Sequence, residues 1–292
     1  TVTYSFVPSA VSDQKFATTQ SEPTPGIDQI LELSEVHKES VKLALSEWAK
    51  VAKISFVEIQ ETNDQAGTLR FGFTDYNELA ANGDIAAAWA ISPSSAPASG
   101  DIWLHHNTAS DNYSQGTGYG FATLIHEIGH ALGLKHPFEG AQKLSSDLDK
   151  TNYTIMSYTD DENAYYNKDY IISSSPMVLD ISAIQYLYGA ADNNTADTIY
   201  SFNPSNPFAQ AIWDTRGTDT IKLDNFQKGC TVDLNPGAYS TIVCDDWSLA
   251  DNLGIAYNTS IENVIGGSGN DIIVGNDLGN QISGGAGYDT LS

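Results

Sequence analysis

The sequence predicts an α+β domain over residues 1–190, a twisted sheet with a histidine-bearing helix, followed over residues 191–292 by an all-β domain of stacked parallel turns. Three observations predict it. In the first part apolar residues alternate at period two and then at the helical period, in the order strand, helix, strands, helix. Beyond Ala190 the composition shifts to Asp, Asn, Gly and short apolar runs. Inside that second part a nine-residue motif recurs over 266–292, the mark of a solenoid.

In order, Thr1–Val7 alternates small polar and large residues and reads as a strand, and 8–32 is polar and proline-containing and reads as loop. Leu33–Lys53 spaces Val36, Val41, Leu43, Ala44, Trp48, Val51 and Ala52 as an amphipathic helix. Strands are expected at Ile54–Ile59, Thr68–Phe73, Ala86–Ile91 and Asp101–His106. A Gly-rich run from Gln115 to Tyr119 opens a second helix, packed through Phe121, Ala122, Leu124, Ile125, Ile128, Ala131 and Leu132. Pro137 blocks its renewal. Leu179, Ile181, Ile184, Leu187 and Tyr188 give a third helix over Pro176–Tyr188.

Thirteen Lys and Arg stand against 37 Asp and Glu, a net charge of −24, so a basic face for nucleic acid or an anionic membrane is not expected. A solvated acidic surface accounts for that charge, and calcium sites are the specific alternative, because hard cations take carboxylate and carbonyl oxygens. No run of eighteen apolar residues is present. Cys230 and Cys244 lie in a turn-rich region away from any histidine; a disulfide between them is expected, and metal ligation is not.

The chemistry is concentrated in residues 123–136, which read H-E-x-x-H-x-x-G-x-x-H from His126 to His136. His126 and His130 are four apart and share a helix face, where both imidazoles reach one ion. Glu127, beside the first ligand, serves as general base rather than ligand. His136 reaches the same ion only if the helix ends between, and Gly133 supplies that turn because glycine takes the left-handed conformation without steric cost. Core histidines on an amphipathic helix are the plain alternative, which three His, one Glu and one Gly in metal register disfavour. The pattern followed by Tyr153-Thr-Ile-Met-Ser-Tyr158 is the metzincin signature, with Met156 expected as an apolar floor under the ligands. His105 and His106 are adjacent on a strand, point to opposite faces and are left out of the metal site in favour of a surface or substrate-edge role.

Gly266–Val274 and Gly284–Ser292 fit G-G-x-G-x-D-x-U-x, the calcium-binding parallel β-roll repeat. The intervening Gly275–Ser283 keeps the period and Ile282 but carries Asn280 where the others have Asp271 and Asp289. A flexible glycine linker leaves Ile273, Ile282 and Leu291 recurring at nine unexplained.

Taken with Ser99-Gly-Asp-Ile-Trp103, Asp180-Ile-Ser-Ala-Ile-Gln185, Leu187-Tyr-Gly189 and Ile261-Glu-Asn263, these motifs make the chain resemble the serralysin family, bacterial metzincins with a calcium β-roll behind the protease domain. The resemblance implies zinc held by His126, His130 and His136, with Tyr158 as a further ligand that swings away to stabilise the oxyanion. For calcium it implies Asp214, Arg216, Gly217 and Asp219, with Ser260 and Glu262 at a neighbouring site and Asn194, Ala196 and Thr198 adding carbonyls. In the roll it implies Gly267, Gly269, Asp271, Gly284, Gly285, Gly287 and Asp289.

The implied activity is zinc-dependent endopeptidase hydrolysis. The metal acidifies water and polarises the scissile carbonyl, while Glu127 takes the water's proton and passes it to the leaving amine. Substrate lies extended along Ala86–Ile91. Protein or peptide substrates, a proteinaceous inhibitor, a monomeric state and secretion from a bacterium complete the expectation, with several structural calcium ions and one catalytic zinc. The family's segment before the first strand, its longer loop after the third histidine and its further repeats are missing, so a form shortened at both ends, without the C-terminal export signal, is expected. The rival readings are a calcium-dependent adhesion module with a vestigial zinc site, which the intact Glu127 opposes, and a zinc hydrolase of non-peptide substrates.

Overall fold

The computed structural model describes residues 1–8, 25, 29–62, 64–79, 84–108, 113, 118–160, 165–166, 169–170, 173–247 and 249–292. The chain forms two compact units, one of residues 1–49 and 54–136 and one of residues 50–53 and 137–292.

The first unit is built on β1 (Val2–Phe6), β2 (Ile30–Leu31), α1 (Glu35–Val51), β3 (Phe56–Glu58), β4 (Leu69–Thr74), β5 (Ala88–Ala90), β6 (Asp101–His105) and α2 (Tyr119–Ala131). Its sheet runs β3-β1-β4-β6-β5, with β2 beside the end of β4. β3, β1, β4 and β6 are parallel neighbours, whereas β5 closes one edge antiparallel to β6, Trp89 facing Trp103. Every residue of β4 and β6 is buried, as expected for strands covered on both faces.

The expected strands and helices are present with bounds moved by no more than two residues, apart from β2. That strand falls in the stretch assigned to loop, most of which lies outside the described residues, as does 115–117 of the Gly-rich run. A two-residue strand carries no alternation to read. The face of α1 is also corrected: Val36 and Leu43 are exposed, and Val41, Ala44, Leu45, Trp48 and Val51 are the buried set. His105 is buried rather than superficial, its Nε2 3.1 Å from Asn77 Oδ1, while His106 is exposed.

The second unit contains β7 (Tyr165–Tyr166), β8 (Asp169–Tyr170), α3 (Val178–Tyr188), β9 (Ile199–Ser201), β10 (Gln210–Ile212), β11 (Thr220–Lys222), β12 (Thr231–Asp233), β13 (Tyr239–Ser240), β14 (Leu253–Ile255), β15 (Asn263–Ile265), β16 (Ile272–Val274), β17 (Gln281–Ser283) and β18 (Thr290–Leu291). Two parallel stacks dominate, β17-β15-β11-β9 and β12-β16-β18. The register pairs Asn263 with Gln281 and Ile272 with Thr290, so one circuit of the roll takes two nonapeptides and successive repeats alternate between the stacks. Ile221, Val232, Val264 and Ile273 point into the shared core, against which Ile282 packs, while Leu291 at the last strand is half exposed. Cys230 and Cys244 lie in this core as free thiols, which corrects the expected disulfide. The Cys230 sulfur instead accepts the N–H of Val243. No helix among the described residues is long and apolar enough to cross a membrane.

The sheet of the first unit buries one guanidinium with two carboxylates. Arg70 donates to Glu61 at 3.2 and 2.6 Å and to Asp101 Oδ2 at 3.0 Å, and Ser5 Oγ donates to Glu61 at 2.7 Å. Asp101 Oδ1 is buried with no hydrogen-bond partner among the described residues. Burial pushes the Asp101 carboxyl up to about 7, against the pull of Arg70 and with a push from Glu61. A carboxyl whose folded value is raised binds its proton more tightly when folded, so the stability it contributes is complete at low pH and lost as pH rises through about 7. Asp101→Asn should therefore shrink the fall in urea midpoint between pH 5 and pH 8, followed by tryptophan fluorescence; an equal fall in both proteins would show that this carboxyl does not titrate there.

Candidate metal centre

α2 holds Phe121, Leu124, Ile125 and Ile128 fully buried and packs against β5 and β6, which leaves His126 and His130 on one common face. The helix ends by a recognisable device. Gly133 N–H donates to His130 O and Leu134 N–H to Gly129 O, both at 2.9 Å, the two bonds of a Schellman motif. Gly133 sits at φ 105°, where a side chain would be strained, so the turn assigned to it from sequence is the one observed.

That turn brings His136 back to the helix. The three Nε2 atoms lie 3.1 Å (His126–His130), 3.0 Å (His130–His136) and 3.3 Å (His126–His136) apart. A tetrahedral zinc with Zn–N of about 2.0–2.1 Å has N···N edges of about 3.3–3.4 Å, so the donors are spaced to within a few tenths of an ångström for one ion. His130 Nδ1 stands 2.9 Å from Leu134 O. A carbonyl only accepts, so Nδ1 carries the proton and Nε2 presents its lone pair to the centre. Sequence reasoning had no signal for this orienting carbonyl, because it depends on where the chain goes after Gly133.

Glu127, next to His126, is buried. Burial pushes its carboxyl up to about 8, opposed by a hydrogen bond from the Ala90 backbone; a cation in the histidine centre would pull it down. The Ala90 N–H is a second partner that sequence could not supply, since it is a main-chain group of β5.

The remaining candidates lie in the second unit. Met156 is buried, with its N–H donating to Thr154 Oγ1 at 3.1 Å. Tyr158 is 64% exposed, its ring 5.4 Å from that of Phe138. Asp180, at the start of α3, anchors this turn by accepting from Thr154 Oγ1 at 2.6 Å and Ile155 N at 2.7 Å.

The calcium candidates occupy the roll's turns, and four carboxylates repeat one pattern. Asp219 accepts the N–H of Thr198 at 2.7 Å, Glu262 that of Asp219 at 2.7 Å, Asp271 that of Cys230 at 2.7 Å and Asp289 that of Asp271 at 3.0 Å. Each thus caps the turn stacked before it. Asn280 departs from this: its Nδ2 donates to Glu262 O and its Oδ1 accepts Asn276 N–H. Asp214 accepts from Tyr200 at 2.6 Å and from Arg216 N at 3.2 Å. Asn194 donates to Tyr200, the carbonyl of Ala196 is taken by Thr198 Oγ1, and Ser260 is exposed. Glycines mark where the chain is crowded, between turns or, at Gly284, within one. A Cβ on Gly217 would meet Ala196 backbone at 2.8 Å, one on Gly267 Phe226 O at 2.2 Å, one on Gly269 Gly229 N at 2.2 Å, one on Gly284 Asp289 Oδ2 at 2.3 Å, one on Gly285 Gly267 O at 2.0 Å and one on Gly287 Gly269 O at 2.3 Å.

Comparison with known proteins agrees with this geometry. Residues 26–189 match the Matrixin model of peptidase family M10, and residues 178–292 match the model described as Peptidase M10 serralysin C terminal. The chain is 34% identical over 281 residues to a serralysin of Photorhabdus laumondii, covering 88% of this chain and 56% of that protein. It is 35% identical to serralysin B of Dickeya chrysanthemi, covering 89% of this chain and 57% of the relative, and 35% identical to the metalloprotease AprA of Pseudomonas entomophila, covering 88% and 56%. The chain therefore spans about half the length of the curated relatives it matches. With a three-histidine centre ahead of a parallel roll, and models matched across both parts, the chain belongs to the M10 peptidases, in the serralysin family of metzincins.

Proposed function

We propose that the chain acts as a secreted, extracellular zinc-dependent endopeptidase of a bacterium, cleaving peptide bonds in proteins as a monomer. The observation that carries this is the convergence of three imidazole Nε2 atoms at 3.0–3.3 Å beside the buried Glu127. Zinc bound there would supply Lewis-acid polarisation of the scissile carbonyl and acidify water. Glu127 takes the proton from that water and delivers it to the departing amine. Its burial supports this role, since it keeps competing solvent off the carboxylate. Tyr158 donates its phenol to the developing oxyanion, for which its exposure leaves freedom to move. Met156 provides an apolar floor.

The substrate adds as a strand along residues 86–91. In support, β5 is the terminal strand of its sheet, and His105 N–H to Ala87 O and Ile91 N–H to Asp101 O are the bonds facing β6. Antiparallel alternation then turns the main-chain groups of Ala88 and Ala90 to the open edge, where Glu127 takes the Ala90 N–H.

The protease domain runs over 1–190 and the roll over 191–292, a division that the overlap of the two family matches near residues 178–189 supports. Several calcium ions bind the roll through Asp214, Arg216, Gly217, Asp219, Ser260, Glu262, the Asn194–Thr198 carbonyls and the Gly267–Asp271 and Gly284–Asp289 turns. Crowding of acid groups supports this: Asp219 is pushed up to about 6 by burial and by neighbouring Asp214, Glu262 and Asp197, an arrangement that a divalent cation relieves. A proteinaceous inhibitor is the expected regulatory partner.

Three outcomes test the proposal. Glu127→Ala should retain stoichiometric zinc by metal analysis while casein hydrolysis falls by a factor on the order of 10²–10⁴ in kcat; loss of the zinc would make Glu127 a ligand instead. Tyr158→Phe should lower kcat with KM little changed, and an unaltered kcat would remove it from the reaction. In hydrogen exchange, amides of Ile272–Ile282 should lose protection when calcium is chelated, whereas equal protection with and without chelator would mean that the roll folds without metal.

A further inference from the structure

We propose that Trp48 of α1 is a positioning residue for the metal centre, holding the peptide group that carries His126. Its indole is fully buried and donates Nε1–H to the carbonyl of Ile125 at 3.1 Å. That carbonyl belongs to the same planar peptide unit as the nitrogen and Cα of His126. Fixing the oxygen therefore fixes the plane from which the first ligand's side chain departs.

The bond is unusual in its location. Ile125 lies mid-helix, where its carbonyl already faces the N–H of residue 129 in the α-helical pattern; a carbonyl has two lone pairs, and the indole takes the second. Residue 129 is Gly129, which costs a helix interior roughly 1 kcal/mol relative to alanine. Past Gly120 in its first turn, the helix is thus intrinsically softest between its two zinc-facing histidines, one residue before His130. A donor on the buried face of a different helix anchors the backbone at that point. His130 is held by Leu134 O on its ring; on the backbone side of His126 the corresponding constraint is Trp48. Orientation of metal ligands by groups outside the coordination sphere is worth about 10–100-fold in affinity, the size of effect expected here.

The inference rests on the three-histidine centre being a metal site, and the experiment separates the two. Trp48→Phe removes the N–H and keeps most of the ring; benzothienylalanine at position 48, with sulfur in place of the N–H, keeps the shape almost unchanged and serves if the Phe variant does not fold. Leu45→Ala, on the same buried face of α1, is the control for loss of packing alone. The full chain, stripped of metal, is titrated with cobalt(II), reading the dissociation constant and the ligand-field spectrum. Both position-48 changes should weaken cobalt by about 10–100-fold and alter the spectrum, while Leu45→Ala lowers the melting temperature and leaves affinity and spectrum as in the wild type. Unchanged affinity and spectrum at position 48, or an equal loss in Leu45→Ala, would overturn the positioning role. A wild-type chain that takes up no cobalt would overturn the metal centre itself, and the role with it.

Discussion

The centre depends on one backbone reversal. Two histidines on a helix face cannot by themselves close a metal site, and a third placed further along a straight helix would point elsewhere and travel away along the axis. The Schellman closure at Gly133 ends α2 one residue after its last turn and sends the chain back, so that His136 comes within 3.0 Å of His130. The same few residues do a second task, because Leu134 offers its carbonyl to His130 Nδ1 and so settles which nitrogen is free for a cation. Ligand count, ligand direction and tautomer all follow from a glycine at φ 105°.

The roll repeats a different economy. Its turns leave main-chain N–H groups without partners in their own strand, and the carboxylates of Asp219, Glu262, Asp271 and Asp289 each accept one from the turn stacked before. Each carboxylate thereby ties two turns together, yet the stacking also buries and crowds negative charge, and Asp219 is raised first by burial and then by Asp214, Glu262 and Asp197. Hydrogen bonding and charge pull in opposite directions along the stack. At Asn276 and Asn280 the amides bond among themselves and to Glu262 O instead, without adding a charge.

Much was legible beforehand. The period of nine located the stacked strands because each apolar position must return to one core, and the H-E-x-x-H-x-x-G-x-x-H string located the three ligands because helix spacing and a glycine stop leave few other outcomes. Less legible was anything set by partners distant in sequence. The apolar stripe of α1 fits several registers equally well, those with Val36 and Leu43 inward among them, and only tertiary packing selects the one containing Leu45 and Trp48. Cys230 and Cys244 suggested a disulfide from their spacing and setting, whereas each thiol is buried and free, and the Cys230 sulfur serves as an acceptor for Val243 N–H. β2 has no signature in the sequence because two residues carry no periodicity of their own, and they pair only because β4 runs past β1 and leaves Phe73 and Thr74 open on that side.

By itself, the sequence determined what is local: which residues can be ligands, where their helix must stop, and that the second part repeats every nine residues, since helix pitch, glycine stereochemistry and strand alternation act over a few residues. Tertiary structure decided which main-chain groups meet those side chains. Trp48 reaches Ile125 across 77 positions, the Ala90 N–H reaches Glu127, and Asp101 shares Arg70 with Glu61. These contacts arise from the packing of whole elements, and no local pattern encodes them, because a hydrogen bond to a backbone group is open to any residue that the fold brings near.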